Sequence, residues 1–237
     1  MIDWRLESYP ELGSTSDEIV RRAKAGEPAG LAVLAFRQTA GRGSRGRAWS
    51  APEGNLNLSI LLRPSRLAKE AGLFSLIAGV AVVEALSMLG ARDLMLKWPN
   101  DILHQGAKLA GILIDAAPQG QALDWLAIGM GVNLRTAPEI PGRQTVSLAA
   151  QGLDISPQAA AEAILARLGA WGEASADDVT QAWLSYGHKT GTKLTISYAG
   201  QQITGLFAGL SGGGELLLAR EGRIETLNTG EILLATA

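Results

Sequence analysis

Four arginines gather around a glycine-rich stretch: Arg37, then Gly41-Arg42-Gly43-Ser44-Arg45-Gly46-Arg47, with no acidic residue before Glu53. A guanidinium binds phosphate through paired N–H donors, so several of them on pliant backbone suit a phosphate that is enclosed and later released. A solvated basic loop is the plain alternative. The glycines also have the spacing of a dinucleotide-binding turn, but such a turn leads into an apolar helix, and here Arg47-Ala48-Trp49-Ser50-Ala51-Pro52 continues the loop. Trp49 in that polar context offers an indole face for stacking, or packs partly into a core.

Downstream, Lys97-Trp98-Pro99-Asn100-Asp101 sets a cation, an amide and a carboxylate at the end of a strand candidate, where ligands sit in open α/β sheets. The lysine could hold a phosphate, and Asn100 and Asp101 could orient it or its Mg²⁺. The same five residues also read as a turn with a structural Trp and Pro. Lys108 precedes the apolar run Leu109 to Ile114, where it would meet a negative ligand at a strand mouth, while Gly111 permits close backbone approach. A lysine in solvent is the commoner arrangement. Gly129-Met130-Gly131-Val132-Asn133 ends another apolar run with an amide fit for a base or ribose, or with an ordinary turn.

Composition removes several other chemistries. There is no cysteine, hence no disulfide, thiolate nucleophile or Cys-ligated zinc. The two histidines, His104 and His188, have no partners at metal-ligand or triad spacing. Neither a Walker lysine loop nor a G-x-S-x-G elbow is present. With 21 Lys and Arg against 23 Asp and Glu, the net charge of −2 gives no global attraction for nucleic acid or an anionic membrane. Any polyanion must be met locally.

The elements that would position these residues follow from periodicity. Ser14-Thr15-Ser16-Asp17-Glu18 opens a helix, Thr15 and Glu18 having capping-box spacing, and it ends near Gly26 or Pro28. Leu31 to Phe36 suits a strand buried on both faces, and Asn55 to Leu62 alternates like a strand. A long helix is expected from about Arg66 to Leu89. Its uncharged part, Ala71 to Val83, ends at Glu84, short of the ~20 residues that span a bilayer, and reads as buried. Strands are expected at Leu94 to Trp98, Ile112 to Asp115 and Leu123 to Gly129, and helices from Ser156-Pro157 and over Asp177 to Ser185. From Gly187 onward the texture becomes short alternating segments: Lys193 to Tyr198, Gln202 to Ala208, Glu215 to Ala219, Arg223 to Leu227 and Glu231 to Ala235. That is the pattern of a small β-barrel or sandwich. Asp3, Arg5 and Glu7 stand where a signal peptide would carry its apolar run, so a cytoplasmic protein is expected.

Taken in order, these segments resemble the biotin protein ligase family, also called biotin–[acetyl-CoA-carboxylase] ligase. The likeness is carried by Ser14-Thr15-Ser16, Gln38 through Arg47, Lys97 through Asp101, Lys108 through Leu113, Gly129 through Asn133 and Gly230-Glu231-Ile232. It implies an α+β fold: a mixed-sheet catalytic domain of the biotin/lipoate ligase type over residues 1–187, then a small SH3-like β-barrel domain over 188–237.

The resemblance also implies chemistry. Biotin and MgATP would give biotinyl-5′-AMP and pyrophosphate, and the acyl group would pass to a lysine of a biotin carboxyl carrier domain. Both nucleophiles are then substrate groups, consistent with the missing enzyme nucleophile, and catalysis is positioning plus electrostatics. By analogy Ser14, Thr15, Ser16, Gln38, Gly41, Arg42, Gly43, Ser44, Lys108 and Gly111 would line the biotin site. Arg45, Arg47, Trp49, Lys97, Asn100, Asp101 and Asn133 would serve ATP. Lys108, Arg42, Lys97 and Asn100 would carry catalysis, with Mg²⁺ arriving on ATP near Asn100 and Asp101 and no direct protein cage for it. Neither nucleic acid nor membrane is an implied partner, and a homodimer is left open. The segment before Ser14 is too short for the winged-helix module of some members, so repressor activity is not implied. Family loops commonly read G-R-G-R-x-G-R, and Ser44 departs from that pattern. A lipoate or octanoate ligase or transferase would share the scaffold.

Overall fold

A strand that the sequence pattern does not announce opens the fold. β1 (Arg5–Tyr9) is short and polar because it is an edge, paired on one side only, in parallel with β2 (Leu31–Ala35). The computed structural model describes residues 2–50, 52–65 and 67–233. Arg66 and residues 234–235, to which the sequence reading extends a helix and a strand, lie outside them.

Between the two strands runs α1 (Thr15–Lys24), whose N-cap is Ser14: its Oγ accepts from the Asp17 N–H at 3.3 Å. The capping-box spacing from Thr15 is therefore one residue out. Thr15 is instead the first residue of the helix, and its N–H and hydroxyl both donate to Gln38.

β3 (Leu56–Leu62) is followed by α2 (Ala71–Met88), and then by β4 (Leu94–Lys97), β5 (Asp101–His104), β6 (Ala107–Gln119) and β7 (Ala122–Val132). The sheet order is β1-β2-β3-β7-β6-β5-β4, antiparallel except for the first pair. β5, only four residues long, starts at the last residue of the Lys97–Asp101 motif and is not predicted by the sequence pattern. The short strands expected at Ile112 and Leu123 are parts of a long β6–β7 hairpin.

Side-chain alternation divides the sheet into two faces. Leu58 and Ile60 of β3 and Ile128 and Met130 of β7 belong to the core with α2, whereas Leu61 and Ala127 pack with Ile19 and Ala23 of α1. α2 is long and apolar enough to cross a membrane, but most of it is buried in this core, flanked by α3 (Pro157–Trp171) and α4 (Ala176–Tyr186).

β8 (Lys193–Tyr198), β9 (Gln201–Leu210), β10 (Leu216–Arg220), β11 (Arg223–Leu227) and β12 (Glu231–Leu233) form an antiparallel sheet in the order β11-β10-β9-β8-β12. The small β-unit is thus a five-stranded sheet. It joins the larger one through Trp98, which is 2% exposed and donates from Nε1 to the Gly214 carbonyl at 3.0 Å. One cluster of buried side chains runs from Trp98 and Trp183 into Phe207, Leu216 and Leu218. In the Lys97–Asp101 motif, then, Trp98 is structural.

Candidate functional site

The α1 face of the sheet carries a polar pocket whose floor is a chain of hydroxyls. Gln38 Oε1 accepts from the Thr15 N–H at 2.6 Å and from the Thr15 hydroxyl at 3.0 Å. Thr15 Oγ1 lies 2.8 Å from Ser59 Oγ, which lies 3.2 Å from Ser16 Oγ. Since the Thr15 proton is committed to Gln38, Ser59 donates to Thr15 and Ser16 donates to Ser59. The Ser16 oxygen keeps its lone pairs and becomes an acceptor for an incoming N–H. Asn57 closes the set, accepting from Gln38 Nε2 at 3.4 Å while its own Nδ2 donates to the Ala35 carbonyl at 3.1 Å.

Beside the hydroxyls the sheet is flat. Gly111 and Gly131 face each other across β6 and β7, and the Trp49 indole lies on them: a Cβ at Gly131 would come within 2.4 Å of the ring, and one at Gly111 within 3.4 Å. The glycines are required here by approach, not by torsion. The loop carrying Trp49 folds back on itself through Gly43 N–H to Arg47 O at 2.8 Å and Trp49 N–H to Gly41 O at 2.9 Å. Lys108 Nζ sits 5.7 Å from the indole centroid, and the Trp49 Nε1 is buried without a partner. With the ring in this seat the pocket keeps about 40 Å³ of free space, room for a few waters.

Gly131→Ala is therefore expected to unseat Trp49. The protein has six tryptophans, so the readout is the difference in acrylamide quenching between each protein and its Trp49→Phe counterpart. That difference rises in the alanine variant; an unchanged value would place the ring elsewhere.

Next to the pocket lies an ionic network joining the two sheets. Asp101, 6% exposed, takes Lys97 Nζ on one oxygen at 3.1 Å and Lys108 Nζ on the other, with Arg143 Nη1 at 3.8 Å. Arg143 also binds Glu231 on β12, which accepts from Arg45 at 3.1 Å and from Arg47 at 3.3 Å. Burial pushes the Asp101 carboxyl up, and the ammonium groups of Lys108 and Lys97 more than offset this, holding it below the ordinary value. Glu231 is likewise raised by burial but drawn below its usual range by Arg143 and Arg47. Burial lowers Lys108 against the pull of Asp101, with Arg143 and Lys97 acting in the same sense as burial. Five cations meet two carboxylates in this network, an excess of three positive charges in a chain of net charge −2. Such a cluster is matched to a polyanion.

Of the residues singled out in sequence, Thr15, Ser16, Gln38, Arg42, Gly43, Ser44, Trp49, Asn100, Lys108 and Gly111 line the pocket. Ser44, Arg45, Arg47, Lys97, Asn100 and Asp101 border a neighbouring space of about 200 Å³ with Asn228 to Glu231. Ser44 Oγ accepts from Arg47 Nη2 at 3.0 Å and so aims that guanidinium. Arg42 stands on the far rim, tied to Asp17 at 2.8 Å and to both oxygens of Asp115 at 3.2 Å.

Asn100 spends its amide on the Ile112 carbonyl at 2.7 Å. Ser14 serves as the helix cap and Gly41 packs against the Trp49 carbonyl. Asn133 donates to the Val146 carbonyl at 3.2 Å and leaves its buried Oδ1 without a partner. Both oxygens of Asp101 are occupied by ammonium groups, and among the described residues no group of three His, Asp or Glu side chains could hold a metal.

Asn57, Ser59, Arg143 and Glu231 were not read as site residues. Asn57 and Ser59 gave a signal, being polar at alternate positions of an apolar strand, with Asn55 extending the alternation just before it. Arg143 gave none, since only the fold brings its loop to β6 through the Lys108–Thr145 bridge.

The Biotin/lipoate A/B protein ligase family matches residues 14–133. A biotin–[acetyl-CoA-carboxylase] ligase of Paracoccus denitrificans is 34% identical over 200 residues, covering 78% of this chain and 82% of that protein. A protein of the same name from Mycobacterium tuberculosis is 31% identical over 245 residues, covering 97% and 89%. The structure is similar to that of the biotin protein ligase from Aquifex aeolicus in complex with biotin and ATP, with a TM-score of 0.81, 30% identity and coverage of 98% and 99%.

Proposed function

The chain belongs to the biotin/lipoate A/B protein ligase family, and from that premise we propose that it is the ATP-dependent ligase that makes biotinyl-5′-AMP and transfers biotin to a lysine of a carboxylase carrier protein. The observation that carries the reading is the arrangement of two unlike sites side by side: a pocket of ordered hydroxyls and flat glycine backbone, and a network with three uncompensated positive charges.

In the first step the biotin carboxylate attacks the α-phosphorus of ATP, and the bond to the β-phosphate oxygen breaks to release pyrophosphate. In the second, a carrier lysine amine attacks the acyl carbon. AMP leaves with the C–O electron pair, and the amine loses its proton. Neither step needs an enzyme nucleophile. Lys108, at the junction of the two sites, would stabilise charge at the α-phosphate, and Arg45, Arg47, Lys97 and Arg143 the leaving diphosphate. Ser16, Thr15, Gln38 and Ser59 suit the ureido ring of biotin, because the Ser16 oxygen accepts where that ring donates. Arg42, Gly43, Ser44 and Gly111 complete that side.

Trp49 would leave its glycine seat to stack on adenine, and the unpartnered Asn133 Oδ1 suits the exocyclic amine of the base. Mg²⁺ would arrive on ATP and neutralise phosphate charge near Asn100 and Asp101; with both Asp101 oxygens bound to lysines, these residues fit a metal held mainly by the phosphates rather than by a protein cage.

The test is exchange of labelled pyrophosphate into ATP. Exchange is expected only with biotin present, followed by biotinylation of a carrier domain. Exchange driven by lipoate or octanoate but not by biotin would overturn the assignment.

A further inference from the structure

We propose that Glu231 competes with the phosphates of ATP, and with pyrophosphate, for the guanidinium groups of Arg45, Arg47 and Arg143. The proposal rests on the ligase reading above and concerns the same site.

Three guanidiniums from two separate loops converge on this one carboxylate, which belongs to the other sheet. Its side chain is 16% exposed, and the space of about 200 Å³ in front of it is bordered by Arg45, Arg47 and Lys97. Two anions cannot both hold these cations at full strength.

Which partner moves follows from the backbone. Glu231 and Ile232 are fixed by pairing with Ser197 and Ile196 of β8, and the Ile232 carbonyl accepts from Lys97 at 3.2 Å. Arg45 and Arg47 instead lie on a loop with Gly43 and Gly46, in which Arg45 has φ 59° and Gly46 φ 72°. The carboxylate is therefore the fixed anion, and Arg45 and Arg47 are the movable cations. A bound triphosphate must draw them off Glu231, which weakens binding. When pyrophosphate departs, Glu231 takes them back, which opposes its rebinding and the reversal of adenylation.

A merely structural Glu231, anchoring the loop, predicts the opposite sign for the isosteric neutral variant. The experiment compares wild type with Glu231→Gln, measuring the affinity for magnesium pyrophosphate by calorimetry and its inhibition of biotinyl-AMP formation. Competition predicts pyrophosphate binding about 5- to 30-fold tighter in the glutamine variant, a lower KM for ATP and an unchanged KM for biotin. Anchoring predicts weaker binding.

Glu231→Asp gives a second measurement should the glutamine variant not fold. Its charge remains but reaches one methylene less far, so competition places its pyrophosphate affinity between those of wild type and Glu231→Gln. Unchanged or weaker pyrophosphate binding in a folded variant overturns the proposal. If wild type itself shows no biotin-dependent pyrophosphate exchange, the ligase reading falls instead.

Discussion

Lys108→Ala is expected to lower single-turnover formation of biotinyl-AMP by about 10²-fold or more, the scale of losing one preorganised electrostatic group. Lys108 is held where charge grows. Its Nζ is bound to Asp101, lies 5.7 Å from the Trp49 centroid and would meet a Cβ at Gly111 at 3.3 Å, so it stands between the pocket and the cationic network. Burial makes this ammonium act through a weaker dielectric than a surface lysine. Burial also lowers its pKa, ahead of the opposing pull of Asp101. A group that works as a cation stops working as pH rises through its pKa. The alkaline limb of adenylation should therefore begin below the ordinary lysine value of 10.5. Lys108→Arg should shift that limb upward while still adenylating slowly, since a guanidinium is too wide for a side chain only 13% exposed. Unchanged adenylation in the alanine variant would sink the assignment.

The parts of this molecule legible in sequence are those whose cause is local. β2 could be read because a strand buried on both faces must be apolar throughout, and α3 because Ser156 and Pro157 carry the capping chemistry of a helix start. The Gly41–Arg47 loop, Lys97, Asp101 and Lys108 stood out because their charges are clustered or lie at the ends of apolar runs. β1 was not legible, since an edge strand has one unpaired side and gains little from an apolar pattern. Thr15 was misread as a cap because its true partner, Gln38, is 23 residues away. Arg143 and Glu231 became site residues only through tertiary placement, across 88 residues of chain. The pairing that links the two sheets was thus the least visible feature, although one half of it stands in Gly230-Glu231-Ile232.

Asp101→Asn should destabilise the fold by about 3 to 5 kcal/mol, the usual cost of removing one partner from a buried ion pair. For a chain of this size that is a fall in Tm of roughly 6 to 20 °C. The loss is large because two ammonium groups, on Lys97 at 3% and Lys108 at 13% exposure, keep their charge and lose the carboxylate between them.

The pH dependence has a definite sign. Since the folded-state pKa of Asp101 lies below 3.8, its contribution is present above that value and is lost as pH falls through the folded pKa. The gap between wild type and variant should close in acid. It should also close in alkali, where Lys108 loses its proton and no longer needs a counter-ion, beginning below 10.5 because burial lowers Lys108. Adding Lys108→Met to Asp101→Asn removes one stranded charge and should restore part of the stability while leaving adenylation impaired. That split separates the structural cost of an unpaired lysine from its catalytic use. A single Asp101→Asn variant melting with wild type would mean that water, rather than Asp101, balances these two lysines, and the network would lose its role in positioning Lys108.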